Sequence, residues 1–246
     1  MKILSIGNSF SHDAHRWLHA LAGREGIDME TVNLYIGGCT LETHRNNLFA
    51  NAGSYEYLLN GETVLRKSSI PDALAEGGWN GITLQQASPY SGITSSYEPY
   101  LTELVTYIRV HNPGAKLWFH KTWAYEIDCT SPVFEAYGRN QKTMFARITE
   151  AENMVIERHG LPIIPVGDVI QSLREEVPEF NYAQGGLSLC RDAFHLSETY
   201  GSFAAAATWI VTLTGKPLGK GEFHDFDVHL LDKITEVVNR VCLPAD

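Results

Sequence analysis

The sequence predicts a single α/β domain with a mostly parallel sheet covered by helices on both faces. Three observations carry that expectation. Short apolar, strand-like runs alternate with helix-length amphipathic segments along most of the chain. The 246 residues are 44% hydrophobic and include five tryptophans, enough for one substantial core. No repeat, low-complexity tract or linker interrupts the pattern, so residues 1–246 read as one domain.

Strands are expected at residues 2–7, 29–35, 81–86, 115–120 and 162–166, and helices at 12–23, 97–111, 134–158, 197–213 and 227–241. The first helix shows Ala14, Trp17, Leu18, Leu21 and Ala22 at i, i+3, i+4, i+7 and i+8, one helical face. Between the second and third strands, Asn60-Gly61 joins two apolar arms, a two-residue turn signal that predicts a small surface hairpin near residues 55–65. The 97–111 helix turns Leu101, Leu104, Val105 and Ile108 to one side, with Pro99 tolerated in its first turn. Ser197 is a candidate N-cap for the next helix, Ala204 to Ala207 favour it, and Gly215-Lys216-Pro217 stops it.

Composition excludes several function classes. A formal net charge of −10 argues against a general nucleic-acid or anionic-membrane binder. No run of about 18 apolar residues suggests a membrane span. With no signal-like stretch before the first strand, the expectation is a cytoplasmic protein, which a trimmed leader would change. Cys39, Cys129, Cys190 and Cys242 lie too far apart in sequence for a metal knuckle or redox pair and read as free thiols. His12, His15 and His19 are spaced along one helix but lack a matching carboxylate or cysteine, so neither metal nor cofactor is expected. His224 and His229 read as solvated.

The chemistry concentrates at strand ends. Open parallel sheets bind ligands beyond the carboxyl ends of their strands, where strand order reverses. In the flavodoxin-like order 2-1-3-4-5 that point lies between the first and third strands. Ser9 follows the first strand at a strand-to-helix corner, and Gln85 and Gln86 end the third. A serine needs a base within hydrogen-bond reach. Asp192 and His195, three apart just ahead of a helix, can supply one, since the carboxylate orients the ring and the ring takes the serine proton. An oxyanion site needs convergent donors. The Ser9 N–H is one, and Gly38, in the glycine turn after the second strand, offers another. Gln86 would complete the set with its side-chain amide, Gln85 being the reserve.

Gly7-Asn8-Ser9-Phe10, Gly37-Gly38-Cys39-Thr40 and Asp192-Ala193-Phe194-His195 together resemble three of the four sequence blocks of the SGNH, or GDSL, serine hydrolases. The resemblance spans residues 2 to 195. It implies a three-layer α/β/α fold with a five-stranded sheet, and an esterase with Ser9, Asp192 and His195 as its triad. Two positions depart from the pattern. Asn8 replaces the usual aspartate, and Leu84-Gln85-Gln86-Ala87-Ser88-Pro89-Tyr90 lacks the Gly-x-Asn-Asp of the third block. Trp123 and Tyr125, after the fourth strand, and Tyr90, after the third, are candidate walls for a sugar ring. Many members of the resembled family remove acetyl or other short acyl groups from carbohydrates. Cleavage of such a group, acetyl first, from a small-molecule or oligosaccharide ester is the leading expectation. A lipase-like or thioester hydrolase, and a catalytically silent carbohydrate-binding protein, are the rivals. No phosphate cradle follows the first strand, which disfavours a flavin or nucleotide binder.

Overall fold

In the computed structural model, which describes residues 1–243, the chain folds around one mixed sheet of seven strands. These are β1 (Lys2–Gly7), β2 (Glu30–Tyr35), β3 (Tyr55–Leu59), β4 (Glu62–Ser68), β5 (Gly81–Leu84), β6 (Lys116–His120) and β7 (Ile163–Ile164). Their spatial order is β4-β3-β2-β1-β5-β6-β7. β1 pairs in parallel with β2 and β5, and β6 lies parallel between β5 and β7. Among the described residues the helices are α1 (Ser9–His15), α2 (Leu18–Arg24), α3 (Leu41–Phe49), α4 (Ile70–Glu76), α5 (Tyr100–His111), α6 (Gln141–His159), α7 (Val166–Glu176), α8 (Tyr200–Thr214) and α9 (Val228–Cys242).

The expected five-stranded sheet with a small inserted surface hairpin is corrected by these pairings. The Asn60-Gly61 turn forms with positive φ at both residues, 52° and 84°, as this tight turn requires. Its first arm, however, pairs antiparallel with β2 from Val32↔Leu59 to Tyr35↔Glu56, so the hairpin extends the sheet to seven strands. Tyr55, Tyr57 and Leu58 are buried, which gives that arm an apolar side to pack and fixes its register.

Helix boundaries also differ from expectation. The expected 12–23 helix is two, α1 and α2, broken at Arg16–Trp17, and α1 begins at Ser9 itself because Asn8 caps it. The expected 134–158 helix starts as a 3₁₀ turn over Pro132–Tyr137 before α6. Ser197 does not cap α8. Thr199 holds that position, and the Ser197 hydroxyl accepts the Gly201 N–H instead. α3, α4 and α7 are additions to the predicted set.

Side chains alternate across the sheet into two apolar layers. Ile3 joins Phe10, Leu18, Trp123, Phe203 and Trp209 on one face; Leu4 and Ile6 join Leu34, Ile82, Leu84 and Leu101 on the other. A polar row crosses the first face. Ser5 stands in register with Asn33 and Thr83, and α1 docks on this row. Ser11 donates to Asn33 at 3.0 Å, Thr83 donates to Ser5 at 2.9 Å, and Ser5 bonds the His15 ring at 2.7 Å. Buried hydrogen bonds of this kind fix a short helix that propensity alone would not hold. No described helix is long and apolar enough to cross a membrane.

Candidate active site

Ser9 sits where β1 becomes α1. Asn8 is extended, with φ −140° and ψ −156°, and its side chain accepts the Phe10 N–H at 3.0 Å, an N-cap that starts the helix at the serine. Gly7 is required here: a Cβ would collide with Ser11, whose hydroxyl turns back to the Asn8 carbonyl at 2.9 Å. Ser9 is half-buried, and its hydroxyl has no hydrogen-bond partner among the described residues.

The Asp192–His195 loop is pinched shut. Cys190 and Leu196 form an antiparallel bridge, and Arg191 N–H donates to the His195 carbonyl at 2.9 Å. Ala193 takes φ +68° at the tip. Asp192 accepts the His195 backbone N–H and its ring Nδ1, each at 2.7 Å. A carboxylate can only accept, so Nδ1 carries a proton, and in the neutral ring Nε2 then holds the lone pair. Nε2 has no partner among the described residues. Burial pushes the Asp192 carboxyl up, but hydrogen bonds from the His195 ring and backbone, with the Phe194 N–H, outweigh it and hold the group below the usual carboxylate range.

Asp13 seats this loop on α1. It lies four residues beyond Ser9, on the same helical face. One carboxylate oxygen accepts the Leu196 N–H at 2.8 Å and the other the Arg191 guanidinium at 2.9 Å. Arg191 also donates to the Leu196 carbonyl. Burial raises the Asp13 carboxyl above its ordinary range, with Arg191 pulling the other way. Phe10, next to Ser9, stacks on Trp123 with ring centres 4.0 Å apart and meets His195 edge-on at 6.0 Å. On the far side Glu126 N–H holds the Ala193 carbonyl at 2.7 Å. The serine corner and the histidine loop, from opposite ends of the chain, thus meet at one sheet edge.

Gly38 is exposed beside that corner with φ +65°, a conformation glycine adopts freely, and its N–H is bonded to no described residue. The next carbonyl, that of Cys39, accepts the Asn8 side-chain amide at 3.0 Å, tying the glycine turn to the serine corner. His12, one turn after Ser9, meets Tyr35 edge-on at 5.3 Å. Burial, then Arg16 and Arg191, lower the His12 pKa.

Residues 2–237 match the family described as Domain of unknown function (DUF4886). The chain belongs to that family. A crystallised DUF4886 protein from Bacteroides uniformis is 36% identical, covers all of this chain and 96% of its own, and superposes with a TM-score of 0.90. A candidate SGNH hydrolase from Slackia heliotrinireducens is 20% identical over 85% of this chain and 96% of its own, TM-score 0.58. A mutant of an acetyl-xylooligosaccharide esterase from Geobacillus is 13% identical over 87% and 94%, TM-score 0.55. The DUF4886 chain therefore shares the SGNH-hydrolase fold. No curated protein matches it.

Other expected site residues of this DUF4886 protein have different surroundings from those predicted. Neither glutamine has an amide free for an oxyanion. Gln86 spends its NH₂ on the Ser96 carbonyl and hydroxyl, both at 3.0 Å, and its carbonyl on the N–H groups of Leu41 and Ala87. Gln85 bridges Asn8 and His120. Trp123 and Tyr125 are 0% and 2% exposed, so neither can stack on a sugar. Trp123 supports Phe10 and donates to the Phe194 carbonyl, while the Tyr125 hydroxyl bonds Ser88. Tyr90 is 46% exposed and remains available. His12, His15 and His19 turn to different partners: Tyr35, Ser5 and the Met29 carbonyl. All four cysteines are free thiols. Asn8, Asp13 and Arg191 escape sequence reasoning, though Asp13 carries a signal, an acid one turn from the serine.

Proposed function

We propose that this protein is a serine hydrolase of short acyl esters, acting through Ser9, His195 and Asp192 as a carbohydrate O-acetylesterase. One observation carries the reading: an Asp192-oriented imidazole with Nε2 unbonded, in a loop clamped by Asp13 onto the helix that Ser9 opens. The hydroxyl of Ser9 attacks the acyl carbon while Nε2 of His195 takes its proton. The Ser9 and Gly38 N–H groups receive the oxyanion. Collapse expels the alcohol, which leaves with the proton from Nε2. Water then attacks the acyl-enzyme by the same path and regenerates Ser9.

Separation of Ser9 and His195 by more than a hydrogen bond is compatible with this course, because such bonds tighten when substrate binds. Asp192, held below the usual carboxylate range, stays ionised where a free carboxyl would not and keeps Nδ1–H turned to it, leaving Nε2 as the base. The rate therefore falls toward acid as Nε2 takes a proton and ceases to be a base. The His12–Tyr35 pair, one turn from Ser9, and the exposed Tyr90 in the loop after β5 are the rings proposed for a sugar leaving group. The fold shared with an acetyl-xylooligosaccharide esterase supports the substrate class.

Hydrolysis of 4-nitrophenyl acetate and of longer-chain 4-nitrophenyl esters tests the proposal. The acetate is turned over faster than long-chain esters, and Ser9→Ala lowers the acetate rate at least about a thousandfold. Full turnover by Ser9→Ala would remove the mechanism. Preference for long chains would favour the lipase-like reading.

A further inference from the structure

Asn8 joins the serine corner to the Gly38 turn, and a line of buried side chains decides how its amide is oriented. Its Nδ2 donates to the Cys39 carbonyl at 3.0 Å; its Oδ1 accepts from the Phe10 N–H at 3.0 Å and from Gln85 Nε2 at 2.6 Å. Gln85 Oε1 in turn faces His120 Nδ1 at 2.8 Å. Asn8, Gln85 and His120 are 1%, 2% and 0% exposed.

Polarity propagates along this line in one sense only. The Cys39 carbonyl accepts, so Asn8 must show it the NH₂. The Phe10 N–H donates, so it must meet the Asn8 carbonyl. Gln85 is then obliged to turn its NH₂ to Asn8 and its carbonyl to His120, whose Nδ1 must carry a proton. His120 packs against Trp209 with ring centres 5.3 Å apart, and its Nε2 has no partner among the described residues. Burial, with His15 nearby, pushes its pKa down to about 3, so the ring is neutral and holds a single proton.

We propose that His120 and Gln85 are positioning residues, a buried relay that orients Asn8 and thereby fixes the Gly38 N–H relative to the Ser9 N–H. The inference rests on the serine-hydrolase reading. In that reading the two N–H groups are the oxyanion donors, and the Asn8 side chain bonds both the helix that Ser9 opens and the turn that carries Gly38. The third-block glutamine acts beneath the oxyanion site rather than in it. Such a role belongs to the transition state, because the donors meet full charge only there.

Two measurements test it. Nitrogen-15 NMR of the unmodified protein reads the His120 tautomer directly. The relay requires neutral imidazole protonated on Nδ1; an Nε2–H tautomer would overturn it whatever the catalytic activity. Gln85→Met keeps the length and volume but has no N–H to donate to Asn8. With 4-nitrophenyl acetate, kcat falls about 10- to 100-fold while KM stays within about twofold, as expected for misplaced donors. An unchanged kcat in a folded Gln85→Met protein, or a loss confined to KM, overturns the positioning role. Absence of Ser9-dependent turnover in the unmodified protein would instead sink the hydrolase reading, and the catalytic meaning of the relay with it, while the NMR spectrum still judges the hydrogen-bond order.

Discussion

Two loops flank Ser9, and they dispose of their polar groups in opposite ways. In the loop after β5, the amides of Gln85 and Gln86 are fully engaged with Asn8, His120, Ser96, Leu41 and Ala87. In the loop from Cys190 to Leu196, Asp192 spends its carboxylate on fixing one ring, and that ring leaves Nε2 unbonded among the described residues. The first arrangement builds a scaffold: each amide nitrogen and each amide oxygen meets a partner, and the geometry is locked. The second holds one strong acceptor in a set orientation and leaves it free. Polar residues at the same sheet edge therefore separate by what remains unsatisfied, not by residue type.

Replacing Asp13 releases the free loop. Asp13→Ala leaves the Leu196 N–H buried without a partner and removes the Arg191 ion pair, whose guanidinium side chain is 35% exposed. Chemical denaturation shows a loss of about 2–3 kcal/mol, and any Ser9-dependent kcat on 4-nitrophenyl acetate falls because the His195 loop loses its seat on α1. Unchanged stability and unchanged kcat would show that the clamp holds nothing.

Replacing Gln86 loosens the engaged loop. Gln86→Ala strands the Leu41 N–H and releases Ser96, costing about 1–2 kcal/mol in denaturant unfolding, while kcat on 4-nitrophenyl acetate stays within about threefold. A large fall in kcat at unchanged stability would return this amide to the oxyanion site.

How much is legible in the sequence follows from how local each signal is. β1 and β5, buried on both faces, read as parallel core strands from their apolar runs. The Asn60-Gly61 turn is equally plain, but its pairing partner is not, since hydrogen bonding to β2 depends on which side of Tyr55 and Tyr57 finds a core. α3 buries only Leu41, His44 and Leu48, a stripe whose middle member is a histidine, so periodicity passes over it. Ser9 and the Asp192–His195 pair stand out because a corner serine and an Asp-x-x-His run are short motifs. Asp13 does not, because an acid on a helix is ordinary until its long-range partners are known. Trp123 and Tyr125 mislead for a related reason: aromatics after a strand suit a ligand wall and a core equally, and here Phe10 and Ser88 claim them.

Activation of the Ser9 hydroxyl by His195 is read out by trapping with a fluorophosphonate. Intact mass and peptide mapping should show one adduct on Ser9, absent from Ser9→Ala and formed at least about 100-fold more slowly by His195→Ala. A native protein that takes up no adduct, or one labelled equally fast without His195, would show that His195 does not activate Ser9.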